Sequence, residues 1–220
     1  MVFEPETRTT AADRAYVEIR QKVFRGDFVP GQRVSQRRLA HELGLSTVPV
    51  LEAMRRLESD GLLVTAPHCM ARIRKLSLAE LEGLYLVREG LEAIAARLAA
   101  TRISPEDLGQ LRQFSDRFDK AMAAEDRRSM SQADVVIHKL IARAAQCPLL
   151  GEELDRLMLI ERTAGETQRA RPVLASSYSS HRALVQTLAD CDADAAEYFM
   201  KKHIQAGYRD LVQELGREQA

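Results

Sequence analysis

Between Phe28 and Leu63 the chain reads FVPGQRVSQRRLAHELGLSTVPVLEAMRRLESDGLL, and no other stretch restricts the fold as strongly. Leu39, Ala40 and Leu43 fall on one face of a helix over Gln36–Leu43, which Gly44 stops by taking a left-handed conformation. Ser46 or Thr47 caps a second helix, Pro49 suits its first turn, and Val50, Ala53, Met54 and Leu57 repeat at helical spacing until Asp60-Gly61. Two short helices about a tight glycine turn are a helix-turn-helix, whose second helix enters the major groove of DNA. Residues 62–65 and 70–74, with a break at Pro67, then read as two strands of a small hairpin with His68-Cys69-Met70 at its tip, a wing. Upstream, Ala15, Tyr16, Ile19, Val23 and Phe24 form the stripe of a supporting helix that Gly26 ends.

Several short runs stand in order through this region: Pro30-Gly31, Leu39-Ala40…Leu43-Gly44-Leu45-Ser46, Pro49-Val50, Glu52-Ala53 and Leu57-Glu58…Asp60-Gly61-Leu62. On these residues, roughly 10–75 resembles the winged-helix DNA-binding domain of the GntR family of bacterial transcription regulators. The resemblance implies that Ser46, Thr47 and Pro49 lie at the DNA-facing start of the second helix. It also implies that Arg37 stands at an arginine the family uses on DNA, and it leaves Arg55 and Arg56 to reach the backbone. Two further family arginines are replaced here by Thr47 and Leu51. Threonine offers one hydroxyl and leucine only apolar contact, so either the operator differs from the common one or binding is weaker.

Charge supports a division of labour. The chain is neutral in sum, yet residues 13–75 hold 12 Lys and Arg against 7 Asp and Glu, a net +5, whereas residues 76–220 hold 19 against 23, a net −4. Only a module that meets phosphates must be basic, although a charge of +5 alone is common in domains that never meet DNA. Cys69, Cys147 and Cys191 are odd in number, widely spaced and form no CxxC, which argues against a disulfide framework and fits a reducing cytoplasm. The first dozen residues lack a signal-peptide core and read as a disordered arm. No run approaches the length of a membrane span, so no membrane partner is expected.

From Ser77 onward everything reads helical. Ser77 and Glu80 make a capping box for a helix to about Thr101, and Ser104-Pro105-Glu106 starts a second that reaches about Ala124. Others follow over about 127–145, 149–169, 177–189 and 192–215, six in all. The expected fold is mainly α: a winged helix-turn-helix at 1–75, then an all-α antiparallel helical bundle at 76–220.

Within the bundle, Asp134 and His138 are four apart in QADVVIHKL and project from one helix face, as a metal-binding pair or as a solvated surface pair. His181 lies ten residues before Cys191 and His203 twelve after it. An antiparallel hairpin turning there brings the two imidazoles to a similar height. This C-terminal part resembles the all-helical FCD effector domain of FadR-type GntR regulators. The resemblance implies that Asp134, His138, His181 and His203 hold a divalent metal ion. One carboxylate and three imidazoles suit Zn²⁺ or Ni²⁺ first, then Mn²⁺ or Fe²⁺. Arg88, in an Arg-x-x-x-Glu stretch with Glu92, resembles the arginine that binds an effector carboxylate; its alternative is a salt bridge to Glu92.

The expected function is therefore a cytoplasmic, homodimeric transcription regulator, more specifically a repressor. Its partners are double-stranded operator DNA and a small organic acid. A metal-dependent bundle enzyme and an effector-independent architectural DNA binder are the alternatives. The enzyme reading lacks a named general base and leaves the DNA module unexplained.

Overall fold

The computed structural model describes residues 9–25, 27–65, 70–163 and 181–218. A first compact unit takes in the chain up to Lys75, and a second begins at Leu76. In the first lie α1 (Ala11–Arg25), α2 (Gln36–Leu43), α3 (Thr47–Ser59), β1 (Leu63–Val64) and β2 (Arg72–Ile73). In the second lie α4 (Leu78–Ala100), α5 (Pro105–Ala123), α6 (Arg127–Ala144), α7 (Pro148–Thr163), α8 (Arg182–Ala189) and α9 (Ala193–Glu218). The fold class expected from the sequence, mainly α with a helix-turn-helix ahead of an all-α bundle, is the one observed.

The helix-turn-helix is built as its sequence dictates. Ser35 caps α2 by accepting a hydrogen bond from the Arg38 amide, and Gly44 ends it at φ 63°. Gln36 Nε2 donates to the Thr47 carbonyl at 2.8 Å, fixing the start of α3 against α2. Val50, Ala53 and Leu57 on α3 are fully buried, as are Ala15 and Ile19 on α1. Beside that core, α1 is clamped to α3 by polar contacts: Tyr16 donates to Asp60 at 2.6 Å, and Arg56 lies over the Tyr16 ring while bonding Asp13 at 2.6 Å.

The wing hairpin is shorter than its sequence suggests, with Leu63 opposite Ile73 and Val64 opposite Arg72. A third segment that periodicity did not reveal joins it. Gly31 N donates to Ile73 O, Ile73 N to Gln32 O and Val34 N to Ala71 O, at 2.8–2.9 Å. Gly31 sits at φ 77°, where a side chain would be strained, so the Pro30-Gly31 turn is what feeds this edge into the sheet. Residues 66–69, including His68 and Cys69 of the expected wing tip, lie outside the described residues, and Met70 is exposed.

In the second unit, Ser77 and Glu80 form the expected capping box at the start of α4. Ala93, Ala96, Ala99 and Ala100 are buried, and such small side chains let α4 approach its neighbours closely. Leu111 of α5 packs into a core shared with Ile137 and Ile141 of α6, all fully buried. Helix α7 ends at Thr163 among the described residues, and the expected continuation to 169 falls outside them. The helix expected from 177 starts at Arg182, with His181 as its N-cap, and Cys191 at φ 56° turns the chain from α8 into α9. One face of α4 stays open: Leu86, Val87 and Ile94 are 65%, 51% and 47% exposed, and a Cβ added at Gly83 or Gly90 would meet no atom within 4 Å. No helix among the described residues is long and apolar enough to cross a membrane.

Candidate functional site

Helix α6 carries Asp134 and His138 one turn apart, the N-cap of α8 supplies His181, and α9 supplies His203. The structure brings all four together: one ligand atom from each lies within 4.8 Å of every other. The Nε2 atoms of His181, His138 and His203 stand 3.3, 3.5 and 3.7 Å from the same oxygen, Asp134 Oδ1. His138 Nε2 and His203 Nε2 are 3.1 Å apart. Ligands about 2.1 Å from a common ion are spaced about 3.0 Å apart in cis-octahedral and about 3.4 Å in tetrahedral geometry. The three contacts to Asp134 Oδ1 and the His138–His203 pair, at 3.1–3.7 Å, are thus close to metal-ligand spacing.

A second observation fits the same ion. His181 is fully buried; its Nε2 faces Asp134 Oδ1 at 3.3 Å without good hydrogen-bond geometry, and its Nδ1 has no hydrogen-bond partner among the described residues. A buried polar atom in that state is costly unless something else satisfies it, and a cation facing Nε2 would do so. The side chains of His138 and His181 are at most 2% exposed, while those of Asp134 and His203 are 22% and 14% exposed. The cluster therefore opens on the Asp134–His203 side. Phe118 closes it opposite, its ring meeting His181 edge-on at 4.7 Å.

Behind the cluster runs a buried chain of charges. His138 Nδ1 pairs with Glu92, Glu92 with Arg88 at 2.7 Å, and Arg88 with Glu161, which also accepts from Tyr85. Arg88 is thus engaged by Glu92, as the salt-bridge alternative had it, and additionally by Glu161. Sequence reading missed Glu161 and the reach of Glu92 to His138; both contacts cross between helices, and spacing within one helix carries no trace of them.

The charges explain the protonation states. Burial opposes a charged Glu92, but Arg88 and His138 hold its carboxyl down at about 2. Burial also opposes a charged His138, yet Glu92 and Asp134 carry it up to about 10. His181 moves oppositely: burial, then the neighbouring His203, push it down to about 4. Asp134 is drawn well below the usual carboxylate range against its own burial, chiefly by His138.

On the first unit, Arg37, Ser46, Thr47 and Arg55 are exposed and Pro49 is half-buried. Ser46 occupies the N-cap of α3 without a side-chain capping bond. Arg56 is exposed as well, and its guanidinium bonds Asp13 and lies over Tyr16 of α1, because one step along α3 turns it about 100° from Arg55.

A helix-turn-helix unit with a wing, followed by an all-α unit holding an imidazole–carboxylate cluster, is the plan of a DNA-binding regulator with a second, helical domain. The comparisons agree. The profile described as "Bacterial regulatory proteins, gntR family" matches residues 11–68, and that of the FCD domain matches residues 83–206. This chain belongs to the GntR family of bacterial transcription regulators, in its FCD-containing branch, and is not an enzyme. It is 30% identical over 200 residues to the "Probable D-xylose utilization operon transcriptional repressor" of Paenarthrobacter nicotinovorans, covering 91% of this chain and 88% of that protein. It is 24% identical to the repressor RspR of Escherichia coli over 84% of this chain and 83% of the relative. The solved structure of Escherichia coli McbR/YncC has the same fold, with a TM-score of 0.83 at 21% identity over 94% of this chain and all of the other.

The opposed shifts of His138 and His181 fix a pH response of the chelator-treated protein. His138, raised above its ordinary 6.5, stabilises fully below that pH and loses its contribution as pH rises towards about 10. His181, depressed, imposes no penalty above 6.5 and an increasing one as pH falls towards about 4. Urea unfolding of the FCD unit should therefore give greatest stability near pH 6.5, falling on both sides; a steady climb through alkaline pH would contradict these assignments.

Proposed function

We propose that this chain is a cytoplasmic, homodimeric repressor whose grip on operator DNA is set by a small organic acid bound at a divalent ion in the FCD bundle. In this reading residues 1–75 bind DNA and residues 76–220 bind effector and partner subunit. The observation that carries it is the convergence of three Nε2 atoms on one oxygen of Asp134, at 3.3–3.7 Å. Asp134, His138, His181 and His203 would hold the ion, with Zn²⁺ or Ni²⁺ favoured by the donor set and Mn²⁺ or Fe²⁺ next. A bound ion supplies a Lewis-acid position that a carboxylate can share. Glu92 fixes the tautomer of His138 by taking Nδ1–H and leaving Nε2 for the ion. The repressor assignment follows the names of the relatives above.

Replacing His138 and His181 together by alanine should abolish metal content measured by mass spectrometry of the purified protein. It should also remove any effect of carboxylic acids on DNA affinity. Loading of the wild type near pH 7.5 should release about one proton, from His138, seen as a dependence of the titration enthalpy on buffer ionisation. Full metal retention by the double variant would refute the ligand assignment.

Arg88 takes part in effector binding through exchange. Its guanidinium is satisfied by Glu92, which is buried, and by Glu161, whose side chain is 15% exposed. An incoming carboxylate would take the place of Glu161. Glu161→Gln, a weaker internal competitor, should enlarge the thermal shift that small carboxylic acids give the metal-loaded protein. An unchanged or smaller shift would show that Glu161 is not displaced.

The open face of α4 supports the homodimer. Two α4 helices packed antiparallel about a dyad near residues 88–89 set Val87 against Gly90, Ile94 against Gly83 and Leu86 against Leu91. Large side chains then meet glycines whose Cβ positions are open, the self-complementarity that a two-fold interface needs. Val87→Glu should convert the protein to a monomer by sedimentation equilibrium, weakening association roughly 100-fold or more, with helicity unchanged. A dimer of normal strength would place the interface elsewhere. The fused DNA-binding module favours this regulator over the architectural alternative only together with the buried cluster, which a constitutive binder has no use for.

A further inference from the structure

The beginning of α3 has an unusual chemistry for a helix that reads bases. From residue 46 to residue 51 the side chains are Ser, Thr, Val, Pro, Val and Leu, with no amide, guanidinium, ammonium or carboxylate among them. Val50 points into the core and is fully buried. Val48 and Leu51, three residues apart and so side by side on the helix surface, are 72% and 38% exposed, and Thr47 adds its methyl beside them. Gln36, the nearest amide on α2, is committed to the Thr47 carbonyl. The first guanidinium on α3, Arg55, lies one turn beyond Leu51.

Purines are read in the major groove by two-pronged hydrogen bonds from Arg, Lys, Asn or Gln, and cytosine by a carboxylate. The leading turn of α3 owns none of these groups; the exposed carboxylate of Glu52 and the guanidinium of Arg55 come only after it. The one major-groove feature that an apolar side chain recognises is the 5-methyl group of thymine. We propose that Thr47, Val48 and Leu51 form an apolar reading edge that selects thymine at the positions contacted by the start of α3 in each half-site. This rests on the proposed reading of residues 1–75 as the DNA-binding part, and it specifies what that part recognises. Because 5-methylcytosine carries the same methyl group, the distinguishing partner atom is the base pair behind it. Thymine is favoured because Thr47 and Ser46 can bridge to its O4 or to the paired adenine by hydroxyl alone.

The test uses the full-length protein and a duplex recovered by repeated selection from a random library. The selected half-site should contain invariant thymines. Replacing those thymines by deoxyuridine, which removes only the methyl, should weaken binding about fourfold per thymine contacted, multiplying across the two half-sites. The Val48→Ala, Leu51→Ala double variant, altered only at exposed positions, should bind both duplexes equally while keeping the wild-type salt dependence. A cytosine-to-5-methylcytosine change at the same position, opposite guanine, should not restore affinity to the thymine level. Wild-type protein that binds the deoxyuridine duplex as tightly as the thymine duplex, or a selected site without fixed thymines, overturns the proposal. Recovery of no duplex at all would overturn the DNA-binding reading beneath it, a separate and recognisable result.

Discussion

Everything in the bundle is arranged around charges that have been taken out of water. Arg88, Glu92 and His138 are each at most 5% exposed at the side chain, and Glu161 and Asp134 extend the series at either end. An isolated ion in such a place is prohibitive; alternating signs along Glu161, Arg88, Glu92, His138 and Asp134 make it tolerable, since each group answers the next. The cost is a core whose members cannot be changed singly. Removing Glu92 would leave both a guanidinium and an imidazole without their carboxylate. The benefit is orientation: with Nδ1 pinned, His138 can only offer Nε2 to the cluster.

Helix α4 connects this arrangement to the rest of the protein. Its buried side supplies Arg88 and Glu92, and its open side supplies Leu86, Val87 and Ile94. Its capped start at Ser77 is only four residues beyond β2 of the wing along the chain. In the proposed reading this 23-residue helix would meet an effector on one face and a second subunit on another, which would make it a natural two-position element. An effector can bias it only by binding its two positions with different affinity, which exchange at Arg88 between Glu161 and an external carboxylate would provide.

Much of this was legible in the residues. The Gly44 stop, the Ser77 capping box and the buried stripe Val50, Ala53, Leu57 are local, and local signals read well. The height match of His181 and His203 could be counted along the chain because Cys191 supplies a tight turn between two helices. What could not be read is contact between distant segments. Residues 31–34 have no strand periodicity of their own and become an edge only because Ile73 is beside them. Glu161 looks like any surface acid of α7 until Arg88 meets it. The Arg55-Arg56 pair looked uniform, yet Tyr16 and Asp13 claim one arginine and leave the other to solvent.

The same division explains how the first unit can bind DNA without arginines at its leading turn. Affinity for a polyanion comes from net positive charge and counterion release, which the surplus of 12 cations over 7 anions in residues 13–75 supplies wherever those cations sit. Sequence choice comes from groups that touch base edges, and these need carry no charge. Cations spread over residues 13–75 and apolar side chains at the tip of α3 separate the two functions. Ionic strength then tunes binding to every sequence alike, and the preference among sequences rests on the fit of methyl groups against Val48 and Leu51, which salt hardly screens.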